Sequence, residues 1–366
     1  MERVPMARPS WDEEMRSAAM DTLDSLHWVK GPQGKAFGQE FAAFCGAIQG
    51  TPCQSGSVAL WAALRLLGIG VGDEVIVPSL TYIATATCVS LVGATPVFVD
   101  VEPEYWCLDV ACLEQARTAA TKAVIGVHLF GQMCDDRIAQ WCTQHQLAYI
   151  EDAAQAHGAV SASGKVAGSI GDVACFSFFP SKNIAVGGEG GMMMTRRSDL
   201  AFSMEAFVNH GRDDRLESHE LGSNLRMSEV SAAIGRVQLR RLPVWLARRR
   251  EIAKRYAQAF SNLTGILAPP TRANTGHAWH QYCLLVDDPE PFRDTLDRFG
   301  IESRIYYDTP CHRHAVYSTH VQHSTTLPVT DEIASRLVAI PLFHEMTEQE
   351  VERVITAVQH AAHAVP

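Results

Sequence analysis

The chain has 366 residues, of which 47% are hydrophobic and 20% are charged, and its formal net charge is −10 at pH 7. These values are typical of a globular protein with two or three domains and a sizeable buried core. The acidic balance argues against nucleic acid or an anionic membrane as the main partner, so a phosphate-bearing ligand would need a local binding site.

The cysteines and the N-terminal segment indicate the compartment. Ten cysteines are scattered from Cys45 to Cys311 without a CxxC pair, and residues 1–5 show no apolar signal region. This pattern predicts free thiols in the reducing cytoplasm. The most apolar stretch, residues 75–101, is interrupted by proline, aspartate, serine and threonine, so it predicts strand–helix–strand and not a membrane span.

The first 50 residues predict two helices, one that opens at Trp11 and one over 37–44, with a break at 31–34 between them. From about residue 55 apolar strands alternate with helical periodicity. The predicted strands lie at 74–78, 95–100, 123–129, 147–151, 173–178 and 191–195, and the helices at 57–67, 82–91, 110–119 and 135–145. Such alternation is typical of an α/β fold with a mainly parallel sheet covered on both faces, whose ligands bind beyond the carboxyl ends of the strands.

The pattern changes after the sheet. Helices are predicted at 198–210 and 226–257, the second interrupted at Pro243, and its basic run 248–250 is interpreted as a solvated helix face. Strands at 280–286 and 301–307 and helices at 291–298 and 347–363 then indicate a smaller α+β part. We therefore predict a large domain over residues 1–244, which includes the N-terminal segment, and a small C-terminal domain over residues 245–366.

Lys182 follows an aromatic strand and precedes the glycine-rich loop GGEGG at 187–191. A lone lysine after a strand is most often a surface residue. Glycines, however, let backbone approach a ligand closely. An unperturbed lysine has a pKa of about 10.4, so a nucleophilic one must be desolvated or lie near positive charge. Lys182 is therefore a candidate for a Schiff base with an aldehyde cofactor.

Asp152 directly follows the strand 147–151, so we expect it at the same sheet edge as Lys182. An aspartate there is either a helix N-cap or the partner of a cofactor ring nitrogen. In the second role it keeps that nitrogen protonated, and the ring then withdraws charge from a carbanion at the substrate carbon. Gln155 is a candidate hydrogen-bond partner of the ring hydroxyl. His157 either supports Asp152 or packs in the core.

A phosphate site is predicted where Gly56 and Ser57 open the helix 57–67, because a helix N-terminus offers free N–H groups and a favourable dipole. The same residues are also compatible with an ordinary N-cap. Ser177 is a second candidate phosphate ligand. Tyr82 either stacks on a flat ring or packs in the core, and Asn224 is either a polar anchor or a cap.

Two other sequence patterns resemble ligand sites but do not predict one. The segment GIGVG at 68–72 follows a helix instead of a strand, so it predicts a turn and not a dinucleotide site. The histidines at 312, 314, 320 and 323 lack the spacing of metal ligands, and no metal site is predicted.

Together these residues resemble the DegT/DnrJ/EryC1/StrS family of pyridoxal-phosphate (PLP) sugar aminotransferases, almost from end to end. The matching segments are Arg8-Pro9, SGSVAL (55–60), GDEVIVP (72–78), TYIATA (81–86), GA (93–94), DV (100–101), EDAAQAHG (151–158), SFFPSKN (177–183), NHG (209–211), GSNLRM (222–227) and IYY (305–307) with Pro310 and His312. Three departures keep the required groups: Ser57 stands where Thr is usual, Tyr82 where Phe is common, and VGGEGG (186–191) resembles a longer variant of TGEGG.

The resemblance implies a type I, aspartate-aminotransferase-like fold and a role for each catalytic candidate. Lys182 would carry PLP and shuttle the proton between substrate and cofactor carbons. Asp152 would pair with the pyridine nitrogen, Gln155 with the ring oxygen, and Tyr82 would stack on the ring. Lys182 argues against the dehydratase relatives, in which histidine replaces lysine.

The resemblance also implies where the phosphate is held. Gly56, Ser57 and Ser177 would bind the phosphate of the cofactor. Asn224 would reach the phosphate in the neighbouring subunit, so the active unit would be a homodimer with a shared active site.

The implied reaction moves an amino group from an amino acid, with L-glutamate as the expected donor, to a keto group of a nucleotide-activated sugar. A keto-cyclitol acceptor is the main alternative within this class. A non-catalytic PLP-binding regulator on the same scaffold should lack Lys182 or Asp152, or carry an additional DNA-binding segment. A nicotinamide oxidoreductase is disfavoured because the dinucleotide fingerprint is absent.

Overall fold

The structure, a computed structural model, describes residues 2–213, 215–318 and 326–364. Two of the histidines considered above, at 320 and 323, lie outside these residues. The α-helices are α1 (Glu13–Asp24), α2 (Pro32–Cys45), α3 (Gly56–Leu66), α4 (Ala84–Leu91), α5 (Leu113–Ala116), α6 (Arg137–Gln144), α7 (Ser198–Phe207), α8 (Glu229–Phe260), α9 (Pro289–Arg298), α10 (Ala315–Ser318), α11 (Pro328–Arg336) and α12 (Glu348–Ala364). Within the described ranges no helix combines the length and the apolar character that a membrane crossing needs.

A seven-stranded sheet forms the centre of the larger part. Its strands are β1 (Gln49–Cys53), β2 (Glu74–Pro78), β3 (Thr95–Val99), β4 (Thr121–Val127), β5 (Ala148–Asp152), β6 (Val173–Ser177) and β7 (Gly191–Thr195). They are ordered β1-β7-β6-β5-β4-β2-β3, and β7 runs antiparallel to both of its neighbours while the other pairs are parallel. The predicted α/β fold with a mainly parallel sheet is confirmed. The carboxyl ends of β2, β4, β5 and β6 consequently share one edge.

Helices cover both faces of this sheet because alternate residues of its buried strands are apolar on both sides. In β6, Cys175 packs in the core formed with α3, α4 and α7, whereas Phe176 points to the other face and packs with α2 and α8. This double coverage holds the ends of the strands rigidly, which positions the side chains that follow them.

The C-terminal part contains a small antiparallel sheet in the order β10-β9-β8, formed by β8 (Ile266–Leu267), β9 (Tyr282–Val286) and β10 (Leu337–Ile340). Its core also receives side chains from α9, α12 and the second half of α8. Val4 belongs to this core as well, and its backbone pairs with Ile301. The first residues of the chain therefore contact the C-terminal part.

Three local predictions were wrong. Helix α8 continues through Pro243, whose ring is exposed, because packing against α1 and α2 offsets the hydrogen bond that proline cannot donate. Residues 301–307 form no strand, since only Ile301 and Arg304 make isolated backbone bridges. Arg249, in the run interpreted as solvated, is buried and donates from Nη1 to the carbonyls of Trp279 and Leu342, each at 2.9 Å. The predicted domain boundary at 244–245 falls inside α8, and the division stays a prediction.

Candidate active site

A cavity of about 1350 Å³ opens beyond the carboxyl ends of β2, β5 and β6 and is closed on another side by residues 302–307. Seven of the eight predicted site residues line it: Gly56, Ser57, Tyr82, Asp152, Gln155, Ser177 and Lys182. The eighth, Asn224, does not line this cavity. The sheet topology thus brings together residues that are far apart in the sequence.

Lys182 lies in the turn after β6, where its backbone N–H donates to the carbonyl of Phe179 at 2.8 Å. The next residue, Asn183, is buried and its side chain donates to the carbonyl of Ala278 at 2.9 Å, which fixes this turn against the segment before β9. Burial lowers the pKa of Lys182 to about 8, and the negative charge of Asp152 opposes that shift. Roughly a tenth of the amine is therefore unprotonated at pH 7, far more than for an ordinary lysine, and the unprotonated form is the nucleophile.

Asp152 ends β5 with a buried carboxylate. Its Oδ2 accepts a hydrogen bond from the hydroxyl group of Thr85 at 2.8 Å, and its Oδ1 accepts one from the N–H of Ala154 at 3.2 Å. Burial raises the pKa of Asp152, while these two hydrogen bonds and the charge of Lys182 act in the opposite direction. A buried carboxylate of this kind is stabilised by a cationic partner, such as a protonated pyridine nitrogen.

Glu151 precedes Asp152 and points to the other face of the sheet, because side chains alternate along a strand. Its carboxylate pairs with His128 at 3.0 Å and accepts the N–H groups of Gly168, Ile170 and Gly171. Burial raises the pKa of Glu151, but the hydrogen bonds with His128 and the backbone outweigh it and hold the pKa below its ordinary value. Glu151 therefore anchors the end of β5 to the 168–171 loop and leaves the cavity to Asp152.

The amide group of Gln155 is fixed on both sides. Its Oε1 accepts the N–H of Phe130 at 2.7 Å, and its Nε2 donates to the hydroxyl group of Tyr307 at 3.0 Å. Because the carbonyl oxygen is occupied by a backbone donor, the NH₂ group is the one left to serve the cavity. That orientation suits a donor to a ring hydroxyl oxygen, the role predicted for this residue.

The predicted phosphate site is a cradle at the start of α3. Ser55 caps this helix, and its Oγ accepts the N–H of Val58 at 3.2 Å. The first-turn N–H groups of Gly56 and Ser57 have no partner within the helix. A Cβ on Gly56 would stand 2.8 Å from the Cβ of Ser177, so only glycine lets the helix end and the end of β6 approach this closely. Backbone donors and two hydroxyl groups therefore converge, which suits a phosphate.

Tyr82 is 58% exposed in the cavity wall and is not part of the core. Its ring centroid lies 6.3 Å from that of Tyr307, in a tilted arrangement. Of the two interpretations given for Tyr82, the exposed ring favours stacking on a ligand. An exposed aromatic ring in the cavity wall offers a stacking surface to a planar cofactor.

The surroundings of His157 and Asn224 bear on the alternatives left open for these two residues. His157 is buried against the rings of Phe41, Phe176 and Phe178, and it makes no hydrogen bond with Asp152; burial lowers its pKa to about 3. It is a core residue. Asn224 is exposed and does not cap α8, which Ser228 caps. The carbonyl of Asn224 accepts a hydrogen bond from Gln54 at 3.0 Å.

Sequence reasoning missed two residues that hold the site. Thr85 bonds to Asp152 and Tyr307 bonds to Gln155. Both lie in segments that carry the family resemblance, TYIATA and IYY, but a hydroxyl group in such a segment gives no sign of its distant partner. The residue types present fit PLP: an amine of lowered pKa, a buried carboxylate, an amide donor and a cradle for phosphate.

The chain matches the DegT/DnrJ/EryC1/StrS aminotransferase family over residues 9–359. It belongs to this family. The predicted recognition is thereby confirmed, and so are the fold, the PLP cofactor and the assignment of the protein as a PLP-dependent aminotransferase.

Three similar proteins place this family member among characterised sequences and structures. The chain is 38% identical to the UDP-N-acetyl-3-dehydro-α-D-glucosamine 3-aminotransferase of Acidithiobacillus ferrooxidans, over 96% of this chain and 94% of that protein. It is 36% identical to the dTDP-3-amino-3,4,6-trideoxy-α-D-glucose transaminase of Streptomyces venezuelae, over 96% and 94% of the two chains. It is also similar to the crystal structure of S. venezuelae DesV in complex with a ketimine intermediate, with a TM-score of 0.93 and 36% identity over 96% and 95% of the two chains.

Proposed function

We propose that this aminotransferase moves an amino group from an amino acid, with L-glutamate as the expected donor, to a keto group of a nucleotide-activated sugar. The observation that carries the proposal is that Lys182 and Asp152 line one cavity with the phosphate cradle at Gly56, Ser57 and Ser177. The nucleotide-sugar part is supported by relatives at 38% and 36% identity, whose names give UDP-linked and dTDP-linked sugars.

When bound, PLP supplies an aldehyde that condenses with amines and a ring that withdraws charge from the neighbouring carbon. The Nζ of Lys182 takes a proton from the substrate carbon and returns it, a task that its pKa of about 8 suits near neutral pH. Asp152 would hold the ring nitrogen through its buried carboxylate, which favours a positive charge there. Gln155 is held by Phe130 and Tyr307 and would donate to the ring oxygen.

The volume of the cavity is large enough for the cofactor and either substrate. At about 1350 Å³ it exceeds the roughly 300–1,000 Å³ of an ordinary small-molecule pocket. It therefore accommodates the cofactor together with a sugar and part of its nucleotide. A single site that admits both the amino acid and the sugar is what a two-step amino transfer requires.

The alternatives are less well supported. A keto-cyclitol acceptor has no diphosphate, whereas the two relatives described above are named for nucleotide-linked sugars. A non-catalytic regulator has no use for an amine of lowered pKa beside a buried carboxylate, and both groups are in place here.

We further propose a homodimer with a shared active site. Asn224 is exposed and lies outside the cavity of its own subunit. Arg226, two residues further along the chain, does line that cavity. Its side chain makes no hydrogen bond with the described residues, so it is available to a neighbouring subunit. The location in the cytoplasm stays a prediction from the cysteine pattern.

The purified holoenzyme tests the reaction directly. Added L-glutamate should convert the cofactor to its amine form, seen as loss of the visible absorbance band. The amine form should then aminate a keto sugar linked to UDP, dTDP or GDP, and mass spectrometry should find the amino sugar. Amination of keto-inositol, or of an unlinked keto sugar in preference to every nucleotide-linked one, would show that the proposed acceptor class is wrong.

A further inference from the structure

Arg304 presents a guanidinium group to the same cavity as Lys182, from the C-terminal part of the protein. We propose that Arg304 forms a subsite for the diphosphate of the nucleotide sugar. The inference rests on the proposed function and adds to it the residue that would recognise the nucleotide end of the acceptor.

Hydrogen bonds of its backbone and side chain hold Arg304 in place without occupying all of its guanidinium donors. Its backbone N–H and carbonyl both bond to Ala339 of β10, at 3.1 and 2.7 Å. Its Nε and Nη2 donate to Oε1 of Glu302 at 3.0 and 2.9 Å, and the other oxygen of Glu302 accepts the N–H of Met6 at 3.1 Å. Nη1 takes part in neither bond to Glu302, and 58% of the Arg304 side chain is exposed. The Tyr306 side chain also hydrogen-bonds with Arg304. A guanidinium that is held in place beside the cavity in this way loses little freedom when it binds a phosphate.

The other two cationic side chains discussed for the cavity, Lys182 and Arg226, lie elsewhere in it than Arg304. Lys182 is required at the reacting atoms. Arg226 lies beside the phosphate cradle, because its backbone pairs with Cys53 at the end of β1, and its Nη1 donates to the side-chain oxygen of Asn209 at 2.8 Å. Arg304 is thus the cavity cation that neither the amine chemistry nor the cradle at α3 employs.

The chemistry of the two substrates decides which anion suits Arg304. In an amino acid the α-carboxylate is attached to the reacting carbon, so it must lie deep in the cavity next to Lys182. In a nucleotide sugar the diphosphate is separated from the keto carbon by part of the sugar ring, so it lies further out. The exposed side chain of Arg304 marks the outer part of the cavity. Phosphate oxygens also match the planar fork of arginine, which binds them in bidentate fashion.

The test measures binding of UDP, dTDP and GDP to the holoenzyme by calorimetry, with uridine, thymidine and guanosine as partners without phosphate. Arg304→Gln should weaken the binding of whichever diphosphate the wild type prefers by about tenfold or more, since a charge-assisted hydrogen bond is lost. Binding of the matching nucleoside should not change. The half-reaction with L-glutamate, followed by absorbance, should stay within about twofold of wild type.

A matched variant controls for the loss of a surface ion pair. Arg313 has 59% of its side chain exposed and pairs with Asp331, but it does not line the cavity. Arg313→Gln should bind the diphosphates as the wild type does. Glu302→Gln separates a ligand role from a structural one: it removes a negative charge next to the subsite while an amide oxygen remains as an acceptor. It should bind the diphosphate at least as tightly as the wild type.

The outcomes distinguish the subsite from the proposed function. If the wild type binds UDP, dTDP or GDP and Arg304→Gln binds it equally well, the subsite is wrong while the proposed function stands. If Glu302→Gln loses as much affinity as Arg304→Gln, the pair is structural, and the subsite is wrong. A slower glutamate half-reaction with unchanged diphosphate binding would assign Arg304 to the donor carboxylate instead. If the wild type binds none of the three diphosphates, the nucleotide-sugar acceptor itself is refuted, and the subsite with it.

Discussion

Asp152, at the end of β5, accepts a 2.8 Å hydrogen bond from the hydroxyl group of Thr85, a residue 67 positions earlier in α4. The hydroxyl groups of Thr81 and Thr85 lie 3.0 Å apart. Since Thr85 gives its proton to the carboxylate, Thr81 must be the donor in that second bond. The resulting chain runs from Thr81 through Thr85 to Asp152, and such chains strengthen each of their hydrogen bonds. It fixes the orientation of the carboxylate that we propose as the partner of the cofactor ring nitrogen.

Thr85→Val tests this chain, because valine keeps the shape of threonine and removes the donor. We expect the affinity for PLP to fall by about tenfold or more, since a hydrogen bond to a charged group contributes about 1.5–3 kcal/mol. The dissociation constant of PLP from the apoenzyme, measured by absorbance or fluorescence, reports the change.

Thr87→Val is the matched control, since Thr87 lies in the same helix and, among the residues that the structure describes, its hydroxyl group bonds only to the carbonyl of Ala84, at 3.5 Å. It should bind PLP as the wild type does. Equal affinities in Thr85→Val and the wild type would mean that Thr85 does not orient Asp152.

Asp152→Asn should separate activity from stability. Burial raises the pKa of Asp152, so in the apoenzyme the folded state binds this proton more tightly than the unfolded state does. Its stabilising contribution is complete below the unfolded pKa of about 3.9 and is lost as the pH rises through the higher folded value. At pH 7.5 the buried carboxylate therefore lowers the stability of the apoenzyme, and asparagine removes that penalty.

We accordingly expect apo Asp152→Asn to have a urea midpoint at pH 7.5 equal to or above that of the wild type, with a difference that shrinks towards pH 4. Transamination should fall by roughly 100-fold or more, because a buried charge pair with the cofactor is broken. A lower midpoint at pH 7.5 together with retained activity would show that the carboxylate serves the fold and not the chemistry.

The amine of Lys182 should control how fast the apoenzyme takes up its cofactor. Because burial lowers the pKa of Lys182 to about 8, the rate of appearance of the visible band on mixing with PLP should rise with pH and level off above that value. Asp152→Asn should move the midpoint to lower pH, since the negative charge of Asp152 raises the pKa of Lys182.

Two lysine variants control this measurement. Lys182→Ala should show neither the band nor turnover, whereas Lys165→Ala, in an exposed turn, should give the wild-type profile. A rate that is independent of pH between 6.5 and 9.5 would exclude the deprotonation of Lys182 as the controlling step.

The sequence indicated most of the predicted residues that line this cavity because the key residues among them follow strand ends. Asp152 and Lys182 each follow a buried apolar strand, and the sheet order brings parallel strand ends to one edge. Thr85 and Tyr307 escaped notice because their partners, Asp152 and Gln155, are distant in sequence, and a single hydroxyl group leaves no periodic pattern.

The predictions for Pro243, Arg249 and residues 301–307 were wrong because tertiary contacts, which the local sequence does not show, decide the structure there. Pro243 breaks an isolated helix, but α8 is held on both sides of it by packing. Arg249 sits in a basic run that resembles a solvated face. Its guanidinium is nevertheless buried, since it satisfies two carbonyl groups, of Trp279 and Leu342, that no local pattern reveals. Residues 301–307 have the apolar content of a strand but no neighbouring strand along their length.

Gly56→Ala tests the phosphate cradle. The added Cβ would stand 2.8 Å from the Cβ of Ser177, so the start of α3 and the end of β6 must separate. We expect PLP affinity to fall by about tenfold, and the affinity for unphosphorylated pyridoxal to fall less. Gly70→Ala is the matched control, because the nearest atom to its Cβ is the carbonyl oxygen of Val92 at an ordinary 3.7 Å. If Gly56→Ala keeps the wild-type preference for the phosphorylated form, the cradle lies elsewhere.

Mixing inactive variants tests whether the active site is shared between subunits. In a hybrid of Lys182→Ala with Asn224→Ala, one of the two sites combines a native lysine with a native Asn224 from the partner, and the other lacks both. Random pairing makes half of the dimers hybrids, so mixing equal amounts before refolding should restore roughly a quarter of the wild-type activity. Activity is best assayed at limiting PLP, where loss of the Asn224 contact is most severe.

The pairing of Lys182→Ala with Gln155→Ala is the decisive control. Lys182 and Gln155 line the same cavity of the same chain, so every site in such a hybrid lacks one of the two residues. This mixture should gain nothing on refolding. If the mixture with Asn224→Ala gains no more activity than this control, no native site has formed in the hybrid, and Asn224 serves its own subunit.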